Sequence, residues 1–169
     1  MVNNMINGNL YLKDNYETDS ETLQPNGVDL RLGQLYIIED NDGCPTGIYN
    51  GHKNLPVYKP VNTKNGIYTL YPDIVYIAEV SEPMNIPKDQ VQLYFPRSTL
   101  LRCGVDVRTC VGDAGYNGTL TFMMINHSQN NFCIEMNERF AQMMSFDLNN
   151  CDIEYDGDYQ DDKHKEESK

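Results

Sequence analysis

The sequence predicts an all-β protein, a compact barrel or sandwich built from short strands. Runs rich in β-branched and aromatic residues recur along the chain and are separated by clusters of Gly, Pro, Asn and Asp. Helical periodicity is almost absent. The length of 169 residues suits one domain with a real hydrophobic core. Many short strands with frequent turn signals are typical of β barrels and sandwiches.

Strands are expected where apolar and polar residues alternate between turn signals. The predicted strands are residues 28–38, 67–80, 91–95, 132–136 and 140–146, with two further runs flanking a glycine-rich turn at 112–118. Residues 96–104 are consistent with one helical turn. Residues 39–66 are rich in Asn, Asp, Gly and Pro, and we expect a long loop or an irregular hairpin there.

The chain is expected to divide into a β domain at 1–150 and a C-terminal arm with an acidic tail at 151–169. Nearly every residue from Asp161 onward is charged or polar, which predicts disorder. Two tyrosines, Tyr155 and Tyr159, stand in an otherwise polar segment. That segment is either an arm that docks on a surface or part of a mobile tail.

Composition excludes several classes of function. The net charge of −12 and the lack of a basic cluster argue against nucleic acid as a partner. No apolar run is long enough to span a membrane, and the N-terminus lacks the features of a signal peptide. A soluble, cytoplasmic protein is therefore expected, in the host cytoplasm if the source is viral.

The cysteines favour neither disulfides nor a zinc site. Their number is odd and no pair has Cys-x-x-Cys spacing. Three of them lie in apolar, strand-like surroundings and are expected to be small core residues, namely Cys103, Cys110 and Cys133.

The turn at 112–118 carries the most suggestive chemistry. Its glycines permit positive φ and close approach of a ligand, and Asn117-Gly118 between β-forming runs is a hairpin signal. Asp113 and Tyr116 place a carboxylate beside an aromatic ring, a pair that could activate water next to a bound base or sugar. On composition alone, an aspartate that caps turn amides is the more frequent case.

Five segments, in order, resemble motifs of the dUTPase superfamily and especially its dCTP deaminase branch. They are Gln24-Pro25-Asn26-Gly27-Val28-Asp29-Leu30-Arg31-Leu32-Gly33, Pro96-Arg97-Ser98-Thr99-Leu100, Gly112-Asp113-Ala114-Gly115-Tyr116-Asn117-Gly118, Glu138-Arg139-Phe140-Ala141-Gln142 and Tyr155-Asp156-Gly157-Asp158-Tyr159-Gln160. Each alone is weak, whereas five in order form a specific signal. The resemblance covers residues 23–160.

The resemblance implies a β-clip, jelly-roll-like distorted barrel that assembles as a homotrimer. It places active sites between subunits, with a deoxypyrimidine triphosphate as substrate and Mg²⁺ as cofactor. Asp113 matches the aspartate that deprotonates the attacking water, and Tyr116 matches the ring that packs on the deoxyribose.

Further roles follow from the same resemblance. Backbone groups at Thr121, Phe122 and Met123 would read the pyrimidine, and the phosphate-binding residues would be Arg97, Ser98, Thr99 and Arg102. Closure of the site would use Tyr155, Tyr159 and Gln160. Asp29 matches an acid near the metal and the triphosphate. Arg139 and Gln142 are expected to be structural, because they match residues that fix strands and the trimer interface.

Position 123 separates the two reactions of the superfamily. Deaminases have a proton-moving glutamate ten residues after the hairpin aspartate, and this chain has Met123 there. A thioether cannot transfer protons. The resemblance therefore implies a dUTP diphosphatase on a deaminase-like body, similar to archaeal and phage dUTPases. The alternatives are a dCTP deaminase, possibly bifunctional and dUMP-forming, a hydrolase of a 5-substituted pyrimidine nucleotide, and a non-catalytic nucleotide- or protein-binding relative.

Three features depart from the family pattern. Gly112 replaces an aliphatic residue before the hairpin aspartate, and Asp158 stands where the deaminase arm commonly has a lysine. Residues 39–66 are longer and more polar than a minimal member needs, and the sequence assigns them no purpose.

Overall fold

Strands dominate the structure, a computed structural model that describes residues 5–6, 21–39, 43, 45–149 and 153–165. The strands are β1 Met5–Ile6, β2 Leu23–Gln24, β3 Gly27–Ile38, β4 Gly47–Tyr49, β5 His52–Asn54, β6 Tyr58–Pro60, β7 Ile67–Leu70, β8 Val75–Val80, β9 Met84–Asn85, β10 Gln90–Pro96, β11 Val105–Arg108, β12 Val111–Gly112, β13 Asn117–Gly118, β14 Thr121–Asn126, β15 Phe132–Glu135 and β16 Arg139–Asp147. The helical elements are α1, Ser98–Arg102, and a 3₁₀ segment, Gln160–Lys165. The prediction of an all-β fold is confirmed.

Ten of the described strands form one sheet that curls into a half-barrel. Its main path runs β11-β14-β8-β3-β16-β10-β12, and β1, β2 and β6 pair at the side. Alternation on these strands sends every second side chain into the core, as on β14, where Phe122 and Met124 are buried. The Phe122 ring lies 5.2 Å from that of Tyr94 and 5.9 Å from that of Phe140. None of the described helices is long and apolar enough to cross a membrane.

The predicted strand at 67–80 is two strands. β7 pairs with β15, whereas β8 lies in the large sheet between β14 and β3. Between them, Pro72 cannot donate a backbone hydrogen bond, and Asp73 has a φ of 57°. The chain therefore leaves one sheet and enters another within a few residues.

The glycine-rich turn does not join two strands that pair with each other. β12 pairs with β10 through Gln92↔Gly112, and β13 pairs with β9 through Gly118↔Met84. The tight turn lies earlier than Asn117-Gly118, because Tyr116 N donates to Asp113 O at 3.1 Å. Gly115 has a φ of 82° at the third position of that turn, as a type II turn requires.

The segment 39–66 contains a hairpin and an added strand. β4 and β5 pair with each other, and β6 extends the large sheet by pairing with β3. We call residues 47–54 the insertion hairpin. Ile48 and Tyr49 project from it and are exposed. Residues 40–42 and 44 lie outside the described part.

The expectation that three cysteines are core residues is wrong. Cys103, Cys110 and Cys133 are all exposed. On β15 the buried residue is Ile134, so the alternation of the strand turns Cys133 outward. Leu100 and Ile134 are buried in the core, whereas the cysteines near them are not.

Candidate active site

An open cleft of about 340 Å³ lies where the first and second motifs meet. It is lined by Gln24, Asp29, Pro96, Arg97, Ser98 and Gln142. Asp29 on β3 is in register with Gln142 on β16, and Arg97 follows directly after β10. Three neighbouring strands therefore bring together residues that are far apart in the sequence. We call this site the Asp29 cleft.

Asp29 is a buried carboxylate between two guanidinium groups. Its side chain is 3% exposed, and its Oδ2 lies 3.3 Å from Arg97 Nε and 3.5 Å from Arg139 Nη1. Neither approach has hydrogen-bond geometry, so this oxygen accepts no hydrogen bond. Burial raises the pKa of Asp29, while Arg97, Arg139 and Arg31 act in the opposite direction.

Arg97 is held in place but stays accessible. Its guanidinium contacts Asp29, lies 3.6 Å from a carboxylate oxygen of Glu138 and donates to Arg139 O at 3.4 Å. The side chain is nevertheless 29% exposed. An arginine fork that is fixed at the mouth of a cleft suits the recognition of phosphate oxygens.

The other expected phosphate binders are distributed unevenly on α1. Ser98 lines the Asp29 cleft at the start of the helix. Thr99 and Arg102 are exposed and are not among the residues that line it. Leu100 anchors the helix in the core. Gln142, which was expected to be only structural, also faces the cleft.

The turn presents Asp113 to solvent and buries Tyr116 behind it. The turn is fixed on β9 and its flank, because Gly115 N donates to Ile86 O at 3.1 Å and Ile86 N donates to Tyr116 O at 2.8 Å. The Tyr116 hydroxyl donates to Thr119 O at 3.1 Å. Burial, followed by the nearby Asp162 carboxylate, raises the pKa of Tyr116 to about 12. Tyr116 is therefore a neutral phenol whose position is set by packing.

The start of β14 lies next to this turn. Thr121 is exposed, Phe122 is a core residue, and Met123 is half-buried. Met123 pairs with Ile77 on one side and with Arg108 on the other, which is the last pair of the β11–β14 ladder. The β11-facing backbone edge of Thr121 and Phe122 therefore lies outside that ladder. Because the Phe122 side chain is in the core, only the backbone of Phe122 can contact a ligand.

The C-terminal arm, residues 153–162, lies against the turn of its own chain. Tyr155 N donates to Ala114 O at 2.8 Å, and the rings of Tyr155 and Tyr116 meet edge-on at 5.4 Å. Gln160 and the acidic residues that follow it also bind the turn. Asp161 accepts a hydrogen bond from Asn117 Nδ2 at 2.7 Å, although the sequence predicts disorder from Asp161 onward. Residues 166–169 lie outside the described part.

Tyr159, expected to close the site, contacts the insertion hairpin. Lys53 Nζ lies 5.0 Å above the Tyr159 ring and forms a salt bridge with Asp158. The acid at position 158 therefore has a lysine partner from the segment whose purpose the sequence leaves open.

The turn and the Asp29 cleft lie apart within one chain. Gly112 pairs with Gln92, and Arg97 lies roughly five residues further along the same strand direction, which corresponds to about 17 Å. One chain therefore does not bring Asp113 into contact with Arg97.

The described residues do not form a metal site of their own. No three His, Cys, Asp or Glu side chains converge in the part of the chain that the structure describes. Asp29 is flanked by guanidinium groups, which repel a cation. A resident Mg²⁺ does not fit this arrangement, whereas a Mg²⁺ carried on substrate phosphates needs few protein ligands.

A family model described as dCTP deaminase-like matches residues 3–148. The chain belongs to the dCTP deaminase-like family. Among curated relatives, the probable deoxyuridine 5'-triphosphate nucleotidohydrolase of Methanopyrus kandleri is 35% identical over 156 residues, covering 92% of this chain and 99% of that protein. The protein of the same name from Methanothermobacter thermautotrophicus is 36% identical over 157 residues, with coverage of 93% and 100%. A dCTP deaminase of Pyrobaculum neutrophilum is 28% identical over 124 residues, covering 73% of this chain and 69% of that protein.

A solved structure shares the fold of this dCTP deaminase-like chain. It is the 2'-deoxycytidine 5'-triphosphate deaminase of Agrobacterium tumefaciens, with a TM-score of 0.64 and 18% sequence identity. The alignment covers 86% of this chain and 49% of that one, so the chain spans about half its length. The prediction of membership in this superfamily is confirmed.

Sequence reasoning missed several residues that the dCTP deaminase-like fold brings to these sites. Gln24 lines the Asp29 cleft, and Glu138 lies beside Arg97. Lys53 contacts Asp158 of the arm, and Asp162 contacts Thr119 next to the turn. Gln24 stands inside the first motif and Glu138 inside the fourth, so the sequence carries a signal for both. Lys53 and Asp162 carry no local signal.

Proposed function

We propose that the protein is a dUTP diphosphatase, which hydrolyses dUTP to dUMP and pyrophosphate. The observation that carries the proposal is the contrast between two positions near the turn. Asp113 presents an exposed carboxylate, whereas the position of the deaminase glutamate holds Met123, half-buried between paired strands. A carboxylate can accept a proton from water, and a thioether cannot. Full-length archaeal relatives named as probable deoxyuridine 5'-triphosphate nucleotidohydrolases support the same reaction.

Asp113 acts as the general base in this proposal. A water oxygen attacks the α-phosphorus and forms a new P–O bond, while the bond between the α-phosphorus and the α–β bridging oxygen breaks. Pyrophosphate takes the bonding electrons as it leaves, and the water proton passes to Asp113. The base must be held in line with the reacting atoms, and the hydrogen bonds between the turn and Ile86 supply that rigidity.

Tyr116 and the turn backbone bind the nucleoside. The Tyr116 ring forms a wall for the deoxyribose and leaves no room for a 2'-hydroxyl. Backbone groups of the turn and of the residues that follow it, from Asn117 to the first residues of β14, Thr121 to Met123, read the base. The substrate enters as its magnesium complex, because the residues that the structure describes form no cage for the ion.

The triphosphate is bound by the Asp29 cleft of another subunit. Arg97 and Ser98 supply the donors there, with Asp29 fixing the guanidinium. Thr99 and Arg102 lie on the adjacent helix, and Arg139 and Gln142 hold the strands beneath. The distance of about 17 Å along β10 supports a site shared between chains. A homotrimer with active sites between subunits meets that requirement.

The outer face of the sheet also supports assembly. Met123 and Ile125 on β14 lie beside Ile77 and Val75 on β8, and all four are half-buried in the single chain. An apolar strand face of this kind suits burial against a second copy.

A product assay tests the proposed function. Purified protein and Mg²⁺ are supplied with dUTP, dCTP and dTTP in separate reactions, and pyrophosphate, nucleoside monophosphate and ammonia are measured. Formation of dUMP and pyrophosphate from dUTP is the expected result. Ammonia from dCTP would instead support a deaminase, and no product from any nucleotide would support a binding relative.

A further inference from the structure

The C-terminal arm occupies polar groups of the turn with its own side chains. Gln160 Oε1 accepts a hydrogen bond from Asn117 N at 3.0 Å, and Gln160 Nε2 donates to Gly115 O at 3.1 Å. Asp162 accepts from Thr119 N at 2.9 Å and from Thr119 Oγ1 at 2.7 Å. Two backbone donors and one backbone acceptor of the turn are therefore already used.

These side chains present the same kinds of groups as a pyrimidine with two carbonyls flanking an N–H. Such a base offers two acceptors and one donor along one edge. Gln160 supplies one acceptor and one donor, and Asp162 supplies the second acceptor. A base and the arm cannot both use Asn117 N and Thr119 N. The Asp162 carboxylate would also repel a negatively charged nucleotide.

We propose that residues 160–162 are an intramolecular competitor of the nucleotide, so that this segment must leave the turn before the pyrimidine binds. The proposal rests on the proposed function, because it assumes that the turn is where the base binds. It assigns Asp162 a role that the family motifs do not cover, since those motifs end at Gln160.

The contacts of the arm suit a competitor that can be released. Asp161 and Asp162 have φ values of 56° and 55°, a left-handed conformation that costs energy for residues other than glycine. Lys53 of the insertion hairpin forms a salt bridge with Asp158, and its ammonium group lies over the Tyr159 ring. Asp158 is nevertheless largely exposed. Surface pairs of this kind contribute little to stability. The insertion hairpin therefore guides the arm to the turn without locking it there.

Amide hydrogen exchange tests whether the arm occupies the turn, without any nucleotide. In the wild-type protein, the Asn117 and Thr119 amides should exchange slowly. In Asp162→Ala the Thr119 amide should exchange at least tenfold faster. Asp156→Ala is the matched control, because it removes an equal charge from an exposed position of the same arm. Fast exchange of Thr119 in the wild type would overturn the proposal.

Binding of a non-hydrolysable α,β-imido dUTP tests the competition. Apparent affinity falls with the fraction of molecules whose turn is blocked, so Asp162→Ala should bind roughly tenfold more tightly than the wild type. Gln160→Ala should act in the same direction, and Asp156→Ala should match the wild type. Unchanged or weaker binding in Asp162→Ala would overturn the competition.

The outcomes separate this inference from the proposed function. Tighter analogue binding in Asp162→Ala without any dUTP hydrolysis would support the competition and contradict the diphosphatase. Hydrolysis of dUTP with no effect of Asp162→Ala on binding would support the diphosphatase and contradict the competition. If neither the wild type nor any variant binds the analogue, both the diphosphatase and the competition are contradicted.

Discussion

Gly112 lies directly against the hydroxyl group of Tyr94. A β-carbon at residue 112 would stand 2.2 Å from Tyr94 Oη and 2.7 Å from Ile86 Cδ1. The tyrosine hydroxyl donates to Gln92 Oε1 at 2.7 Å inside the core. The replacement of the usual aliphatic residue before Asp113 is therefore explained, because Tyr94 fills the space which that side chain would need.

Gly112→Ala should lower the free energy of unfolding by about 1–3 kcal/mol, since the new methyl group overpacks the core. Tyr94→Phe alone should cost about 1 kcal/mol through the lost hydrogen bond. In the double mutant the costs should be less than additive, because the phenylalanine lacks the clashing oxygen. Urea denaturation of the four proteins measures this coupling. Strictly additive costs would show that the two residues do not share the space.

Asp113→Asn should lower kcat by roughly 10²–10⁴-fold, because the amide cannot accept the proton of the attacking water. The substitution keeps the size of an exposed side chain, so the Tm and the affinity for α,β-imido dUTP should change little. Asp89→Asn, at another exposed turn, is the matched control. A variant that hydrolyses dUTP at the wild-type rate would remove Asp113 from the mechanism.

Asp29 should make stability fall with rising pH. Burial raises its pKa, so the folded chain keeps the proton to a higher pH than the unfolded chain does. Between the ordinary aspartate pKa of about 4 and the raised value, the folded state binds more protons, and the free energy of unfolding falls as pH rises. Each pKa unit corresponds to about 1.4 kcal/mol.

The matched variant for this effect is Asp29→Asn, which cannot titrate. Its stability relative to the wild type should rise from about pH 4 upward, as the wild type loses its proton. Denaturant unfolding of both proteins at a series of pH values gives the difference directly. A difference that shrinks over this range would mean that the three arginines outweigh burial.

Ammonia release from dCTP should be undetectable in the wild-type protein, because Met123 has no group that can transfer a proton. The assay is a coupled ammonia measurement with dUTP hydrolysis as the positive control. If ammonia is released, another acidic residue must transfer the proton. Glu79 would be the first residue to replace, as Glu79→Gln. It lies opposite Thr121 on the adjacent strand and is hydrogen-bonded to Tyr36.

Local patterns predict where the strands lie, whereas long-range pairing determines which strands are neighbours. Alternation along β14 and along most of β16 reports directly which face is buried, so these strands follow from the sequence. Asn117-Gly118 has the composition of a tight hairpin turn, yet β9 takes it as a strand partner. Pairing with a strand some thirty residues away leaves no trace in a local window.

The Asp29 cleft and the turn also differ in how far the sequence predicts them. Asp29, Arg97 and Ser98 were found through motifs, and the cleft contains all three. The sequence predicts that Asp162 lies in a disordered tail, because charged runs are usually disordered. Its hydrogen bonds to Thr119 depend on the path of the arm across the turn, which composition does not encode.

The separation of the turn from the Asp29 cleft has a genetic consequence. If each active site takes its turn from one chain and its cleft from another, every subunit contributes halves to two different sites. An Asp113→Asn chain and an Arg97→Gln chain, each inactive alone, should then complement each other when unfolded and reassembled together. Random mixing of equal amounts would leave about a quarter of the sites with both halves intact. A cell with two differently damaged copies of the gene would keep some activity, whereas two copies with the same lesion would have none.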